Sequence, residues 1–142
     1  MYLQALLIIV GFFFTSFMFY LNHRFVGHGP LGKWPILHHI KRLHLIHHRN
    51  DYNDKRNDHL TLPLWAKGCF FLVFLALSFV SIGFASGYII YVFYYGWLHH
   101  KMHNDDQSGL CSNHHFIHHR QSARHNFSGT MPFIDKLFGT KY

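Results

Sequence analysis

The chain of 142 residues contains no glutamate and only six aspartates. A di-iron site of the ferritin kind is built from glutamates and Glu-x-x-His pairs on a helical bundle, so the composition excludes that kind of site. Cysteine is also scarce. Cys69 lies in an apolar run and Cys111 in a polar stretch, so we expect no disulfide between them and treat both as structural.

Histidine is abundant instead, with sixteen residues in the chain. Neutral imidazole is the commonest protein ligand for transition metals. Most of the histidines fall into four clusters with repeated spacings, which predicts a metal site built from histidine nitrogen. The ten candidate ligands are His23, His28, His44, His47, His48, His99, His103, His115, His118 and His119.

The spacings place these side chains on helices. The second and fourth clusters have histidines at i, i+3 and i+4, and the third has a pair at i and i+4, so each set shares one helical face. His23 and His28 differ, because five α-helical residues leave two side chains about 140° apart. They can share a metal only if the helix ends or distorts near Gly27. Otherwise they serve different metals.

Two long apolar runs predict membrane spans. Residues 1–21 carry no charged side chain, and residues 62–98 carry only Lys67. A bilayer core of about 30 Å needs about 20 apolar residues in a helix, and Ser81 to Gly87 supply flexible points for a hairpin in the longer run. We therefore predict an all-α membrane protein with one domain over residues 1–142. Its three transmembrane helices lie at about 2–21, 62–80 and 84–98, and its histidine-rich regions at 22–61 and 99–142.

The basic residues predict the orientation of these spans. All thirteen lysines and arginines lie between Arg24 and Lys67 or between Lys101 and Lys141. Three spans put both regions on one face, which the positive-inside rule makes cytoplasmic. This predicts a multi-pass protein with a cytoplasmic histidine-rich helical cap, in a bacterial inner membrane or the endoplasmic reticulum. No nucleic-acid module is present, and anionic lipid explains the positive charge. A cleavable signal peptide is disfavoured, because residues 1–21 lack a basic start and a cleavage site.

In their order, the four clusters resemble the histidine boxes of the fatty acid hydroxylase and sterol desaturase superfamily of membrane di-iron oxygenases. Those boxes read His-x3/4-His, His-x2-His-His, a second His-x3/4-His pair, and His-x2-His-His. The run Pro132-Phe133-Ile134-Asp135-Lys136-Leu137-Phe138-Gly139-Thr140 is similar to the closing pattern of that family. The resemblance covers residues 23–140.

The resemblance implies a non-haem di-iron enzyme that uses O2 to hydroxylate or desaturate a lipid C–H bond, most readily of a fatty acyl chain or a sterol. It implies two iron ions as cofactors, with zinc able to replace them in a purified sample. The chain has no His-Pro-Gly-Gly haem motif, so electrons have to come from a cytochrome b5-like or ferredoxin-like donor. A bacterial carotenoid hydroxylase is the alternative within the superfamily. The third pair of those enzymes is more often x4-spaced, and their ending differs from the Phe-Gly-Thr tail seen here, so the resemblance favours the fatty acid hydroxylase or sterol desaturase side.

Functions of another class are less consistent with the residues. A metal transporter would need ionisable ligands inside its spans, and the apolar runs contain no histidine or acidic residue. A metal-binding protein without catalysis, or a degenerate relative, is opposed by the complete ligand set. Interfacial histidines without a metal are disfavoured, because surface helices normally carry lysine, arginine and glutamate.

Other polar residues have open roles. His100 and His114 are expected to point away from the shared faces, His59 to be interfacial, and His38 and His39 to be ordinary polar residues. His125 could add a ligand or orient one. Helix capping is the expected role of Asp105, Asp106 and Asp135, with hydrogen bonds to ligating imidazoles as the alternative. Asn22 and Asn113 could serve either purpose.

Overall fold

The computed structural model describes residues 2–50, 62–104 and 109–142. These residues form six α-helices and no strand, as the sequence predicts for an all-α protein. His59, Asp105 and Asp106, whose roles are predicted above, lie outside the described residues. The helices are α1 (Tyr2–Leu21), α2 (His38–Asn50), α3 (Leu64–Val80), α4 (Ile82–Asn104), α5 (Leu110–Arg120) and α6 (Pro132–Leu137), with a π-helical turn at Asn22–Gly27 and a 3₁₀ turn at Pro30–Lys33.

Helices α1 and α4 form the main packing contact of the fold. They approach closely because glycines lie at the crossing. A Cβ atom at Gly11 would lie 2.3 Å from the Phe84 carbonyl oxygen, and one at Gly87 would lie 2.1 Å from the Ile8 carbonyl oxygen. Small residues that let two backbones meet are typical of helix pairs in membranes. The pair is parallel, since Gln4 near the start of α1 accepts the backbone N–H of Gly83 near the start of α4 (2.9 Å).

The break in the long apolar run is shorter than predicted. Ser81 alone separates α3 from α4, with an extended backbone (φ −160°, ψ 119°). Its hydroxyl accepts the N–H of Phe84 (3.2 Å), which caps the first turn of α4. Ser86 and Gly87 were predicted to belong to the hairpin and instead lie within α4. That expectation was wrong because Gly87 provides room for α1 rather than flexibility.

Among the described residues, one helical run is long and apolar enough to cross a membrane, Tyr2–Gly27. Helix α3 is apolar but shorter, at 17 residues. Helix α4 is longer than the predicted segment 84–98, because it continues through the third histidine cluster to Asn104. The arrangement of three spans with a cytoplasmic cap stays a prediction.

The helix that follows α1 is distorted where the sequence left two possibilities open. Residues Asn22–Gly27 are π-helical, and the N–H of His28 donates to the carbonyl of His23 (3.1 Å). This i to i+5 bond adds a residue to the turn, so the fifth residue comes back to the same side. The rings of His23 and His28 lie 5.1 Å apart, and the two can face one site.

Residues 121–142, called here the closing segment, pack against the end of α1. Tyr20, Phe127 and Ile134 are buried together, with Phe17 and Leu21 around them. Asn126 adopts a left-handed conformation (φ 60°), which asparagine tolerates better than most residues. The backbone of the closing segment therefore lies beside the first histidine cluster.

The glycine contact yields the first prediction. Gly87→Ala should lower thermal stability in detergent by about 1–3 kcal/mol, because the added methyl group meets backbone that cannot move alone. Gly96→Ala on the same helix is the matched control, since a Cβ there meets nothing within 4 Å and alanine has the higher helix propensity. Equal stability of the two variants would contradict the close contact between α1 and α4.

Candidate metal centre

The structure brings the ten predicted ligands together in two groups of five. Each residue offers one nitrogen, and these nitrogens lie within 4.8 Å of one another in each group. Site A comprises His23, His28, His44, His48 and His118. Site B comprises His47, His99, His103, His115 and His119. Their convergence agrees with the sequence, and metal binding by them stays a prediction.

Both His-x2-His-His motifs are shared between the sites. On α2, His44 and His48 belong to site A and His47 to site B, while on α5, His115 and His119 belong to site B and His118 to site A. Residues at i and i+4 differ by about 40° around the helix, and the residue at i+3 is about 60° away on the other side of i. One helical face is thus broad enough to serve two neighbouring sites.

The two sites touch each other through the rings of these motifs. His48 of site A stacks on His119 of site B with ring centroids 4.1 Å apart and planes 13° from parallel. The rings of His47 and His48 are 6.0 Å apart. Two metal ions held here would be close neighbours.

In site A the imidazole nitrogens approach one another directly. The Nε2 atom of His28 lies 2.7 Å from Nε2 of His44 and 3.1 Å from Nε2 of His118, which in turn lies 3.2 Å from Nε2 of His48. Two nitrogens that each lie about 2.1 Å from one ion at a right angle are about 3.0 Å apart. The spacing of site A therefore fits a single transition-metal ion.

Hydrogen bonds to the closing segment fix the orientation of two site A rings. The Nδ1 atom of His23 donates to the Phe127 carbonyl (2.5 Å), and Nδ1 of His118 donates to the His125 carbonyl (2.6 Å). With the proton on Nδ1, the lone pair of Nε2 faces the site. Metal-binding histidines usually show this arrangement. The Nε2 atom of His23 is buried and has no hydrogen-bond partner within the described part of the chain, as expected of a nitrogen that binds a cation.

Site B is built by α2, α4 and α5. The Nε2 atoms of His115 and His103 lie 2.9 Å apart, and the ring of His99 lies 4.7 Å from that of His115. Tyr95, one turn before His99, stacks on the His99 ring at 5.3 Å. The short nitrogen–nitrogen contact again fits two ligands of one ion.

Burial keeps these imidazoles neutral. It lowers the pKa of His28 to about 3, and that of His48 and His118 to about 4, with neighbouring histidines adding to the effect for His28 and His48. The pKa values of His44, His47, His115 and His119 are also lowered, mainly by burial. Neutral imidazole is the form that binds metals, so the ligands need no deprotonation at neutral pH.

Asp135 has a different role from the expected helix cap. Its carboxylate accepts the backbone N–H groups of Phe127 and Ser128 (2.8 Å each), the Thr140 hydroxyl (2.7 Å) and Nε2 of His114 (3.0 Å). Burial raises the pKa of Asp135, but the bonds from His114, Ser128 and Thr140 outweigh it and leave the pKa below its ordinary value. Asp135 thus holds the closing segment, and neither caps α6 nor bonds one of the ten predicted ligands.

The remaining histidines differ in their exposure and in their hydrogen bonds. His38, His39 and His100 are exposed, and His100 bonds Asn104. His114 does point away from the ligands, but it is buried against Asp135 rather than solvated. His125 orients a ligand as one alternative expected, through its backbone carbonyl, while its ring bonds Ser122 (2.7 Å). Asn22 and Asn113 are exposed.

Sequence reasoning missed the carbonyls of His125 and Phe127, since any residue type supplies a carbonyl. The closing pattern after the last histidine cluster was the available signal, because Asp135, Gly139 and Thr140 are the residues that shape it.

The family model described as fatty acid hydroxylase matches residues 8–140. This range holds all ten histidines and nearly all of the closing segment. Comparison with curated proteins and with solved structures finds no match.

The lowered pKa values predict how stability depends on pH. Below pH 6.5 the unfolded histidines take up protons that His28, His48 and His118 in the folded chain do not, so stability rises with pH between about 4 and 6.5. From pH 7 to pH 5 we expect each buried imidazole to reduce stability by on the order of 1 kcal/mol. Thermal unfolding of the metal-free protein in detergent measures this loss of stability between pH 7 and pH 5. An unfolding temperature that stays constant between pH 7 and 5 would contradict the burial of neutral imidazoles.

Proposed function

Since the chain belongs to the fatty acid hydroxylase family, we propose that it is a membrane-bound, O2-dependent oxidoreductase that hydroxylates or desaturates a lipid. The observation that supports this most is the convergence of ten histidines into two touching groups of five. Sites A and B would each hold one iron ion. Bound iron supplies the activation of O2 and the removal of hydrogen from an unactivated C–H bond.

The chain's own residues provide the geometry for this chemistry. The ligands come from four separate segments. The π-helical turn with the following His28, α2 and α5 build site A, and α2, α4 and α5 build site B. The carbonyls of His125 and Phe127 hold protons on Nδ1 of His118 and His23. Among the described residues the only acidic side chain is that of Asp135, which is fully buried and bonded to the closing segment and to His114.

The apolar surface supports a lipid as the substrate. Phe79, Val80, Leu64 and Phe93 expose between 72% and 92% of their surface, which soluble monomers avoid over large patches. An open groove of about 670 Å³ is lined only by apolar side chains of α1 and α6 and by the residue after α6 (Phe13, Phe17, Phe133, Ile134, Leu137 and Phe138). Such a groove suits an acyl chain or a sterol better than a polar metabolite.

The same helices support a membrane orientation. The start of α1 lies beside the turn between α3 and α4, and both histidine sites lie at the opposite end, after α1 and at the end of α4. We propose three spans with both sites on the cytoplasmic side, in an inner or endoplasmic reticulum membrane. A separate electron donor of the cytochrome b5 or ferredoxin kind would dock from that side.

Loss of single ligands tests the proposed activity. His48→Ala and His119→Ala should each reduce product formation at least 100-fold, because each removes a nitrogen from the contact between the two sites. His38→Ala and His39→Ala on the same helix α2 are matched controls with exposed side chains, and should keep activity within about twofold. Mass spectrometry of lipids from cells that express each variant under air measures the product. Full turnover by the His48 and His119 variants, with normal protein levels, would refute the proposal.

Cysteine labelling tests the orientation. In a background of Cys69→Ser and Cys111→Ser, Ile82→Cys beside the turn after α3 should react with an impermeant maleimide from the extracytoplasmic side. Lys33→Cys near the histidine sites should react only from the cytoplasmic side. Reactivity of both variants from one side would exclude the three-span arrangement.

A further inference from the structure

Sites A and B differ in how their ligands are supported. In site A, two of five ligands donate to backbone carbonyls of the closing segment, those of His125 and Phe127. The carboxylate of Asp135 accepts the N–H of Phe127 and that of the following residue, Ser128. In site B, by contrast, the Nδ1 atom of His115 is buried and has no hydrogen-bond partner among the described residues. The hydrogen bonds that orient these site A ligands thus lead back to one side chain, that of Asp135.

We propose that Asp135 is a positioning residue for site A, which fixes the tautomer and direction of His23 and His118 without touching a metal. This inference rests on the proposed function, since it assumes that site A binds metal. The route is short: the carboxylate holds the amide N–H of Phe127, and the carbonyl of the same residue receives the proton of His23 Nδ1. The carbonyl of His125 is two residues away on the same turn.

The buried position of Asp135 gives this arrangement its strength. The residue is fully buried, and a buried carboxylate requires hydrogen bonds to remain charged. Four donors meet that requirement: two backbone amides, the Thr140 hydroxyl and His114. Hydrogen bonds to a charged acceptor are about twice as strong as neutral ones, so the turn at 125–128 is held more firmly than a loop with backbone bonds alone.

The same carboxylate connects the closing segment to α1. The Thr140 hydroxyl donates its one proton to Asp135, so it accepts from the Tyr20 hydroxyl (3.2 Å), which accepts from Arg24 (2.7 Å). Arg24 follows His23 directly in the π-helical turn. Asp135 therefore connects to site A from both sides, through the carbonyl that orients His23 and through the helix that carries it.

Asparagine at this position tests the role with nearly unchanged shape. In Asp135→Asn one carboxylate oxygen becomes an NH2 group, which faces donors and cannot accept their hydrogen bonds. Two Co²⁺ binding steps are measured by absorption in the detergent-solubilised full chain, and the steps are assigned with His28→Ala for site A and His99→Ala for site B. We expect Asp135→Asn to weaken the site A step about 10- to 100-fold, the range for residues that support ligands, and the site B step by less than twofold.

A second readout follows the rings directly. In the metal-free protein, ¹⁵N chemical shifts of the histidine rings should show the proton on Nδ1 in His23 and His118, and a mixture of tautomers in Asp135→Asn. Thr140→Val is a milder variant that removes one of the four donors, and it should produce a smaller change in the same direction. Ser122→Ala is the matched control, because it removes a hydroxyl that bonds the ring of His125 rather than its carbonyl, and it should change neither the tautomers nor the Co²⁺ affinities.

The outcomes separate the two proposals. If the unmodified protein binds no Co²⁺ at either site, the proposed function fails. If it binds two ions, and Asp135→Asn leaves both steps unchanged or weakens both equally, then Asp135 has a general structural role and the positioning role is wrong. Should Asp135→Asn fail to accumulate, Thr140→Val decides by the same criterion.

Discussion

The structure depends on the burial of neutral imidazoles whose ring nitrogens face one another in two groups of five. The Nε2 atom of His28 lies 2.7 Å from that of His44 and 3.1 Å from that of His118, and the proton on Nδ1 of His118 leaves a lone pair on its Nε2. Lone pairs that face each other in a buried site are unfavourable without a partner. Protonation would relieve the contact, but burial opposes it and lowers the pKa of His28 to about 3. A metal ion would accept all of these lone pairs at once, whereas the N–H group of another tautomer serves one nitrogen at a time.

Two features of the chain make this site possible without carboxylate ligands. The glycines at the crossing bring α1 and α4 together in their first halves, and the rings of Phe19 and Tyr95, 4.9 Å apart, meet near the ends that lead into the histidines. Gly27 extends the same principle into site A, where a Cβ atom would lie 2.9 Å from the ring of His44. Close packing of the backbone, rather than long acidic side chains, brings the histidines of the two sites together.

The sequence predicted which histidines converge better than how they are arranged. The histidine spacings and the order of the clusters predict all ten residues of the two groups, because helical periodicity is a local property. The division of His44, His47 and His48 between two sites depends on where α4 and α5 lie, and so could not be read from α2 alone. The distortion at Asn22–Gly27 was one of two possibilities that the spacing of His23 and His28 left open.

Roles that depend on the backbone were the least predictable. His125 was a candidate through its ring, and the structure uses its carbonyl. Asp135 was expected to cap a helix, and instead it accepts four donors from the closing segment and α5. The membrane spans were inferred from hydropathy, which marks α1 clearly but does not fix the bounds of α4, where an apolar helix continues directly into a histidine cluster.

Anaerobic loading of the purified chain with Fe²⁺, followed by Mössbauer and X-ray absorption spectroscopy, tests the central claim most directly. The account predicts two irons per chain with nitrogen neighbours at about 2.1 Å, several of them imidazoles. It also predicts scattering from a second iron close to the first in the X-ray absorption spectrum. One iron per chain, or iron bound mainly by water with no second metal nearby, would contradict it.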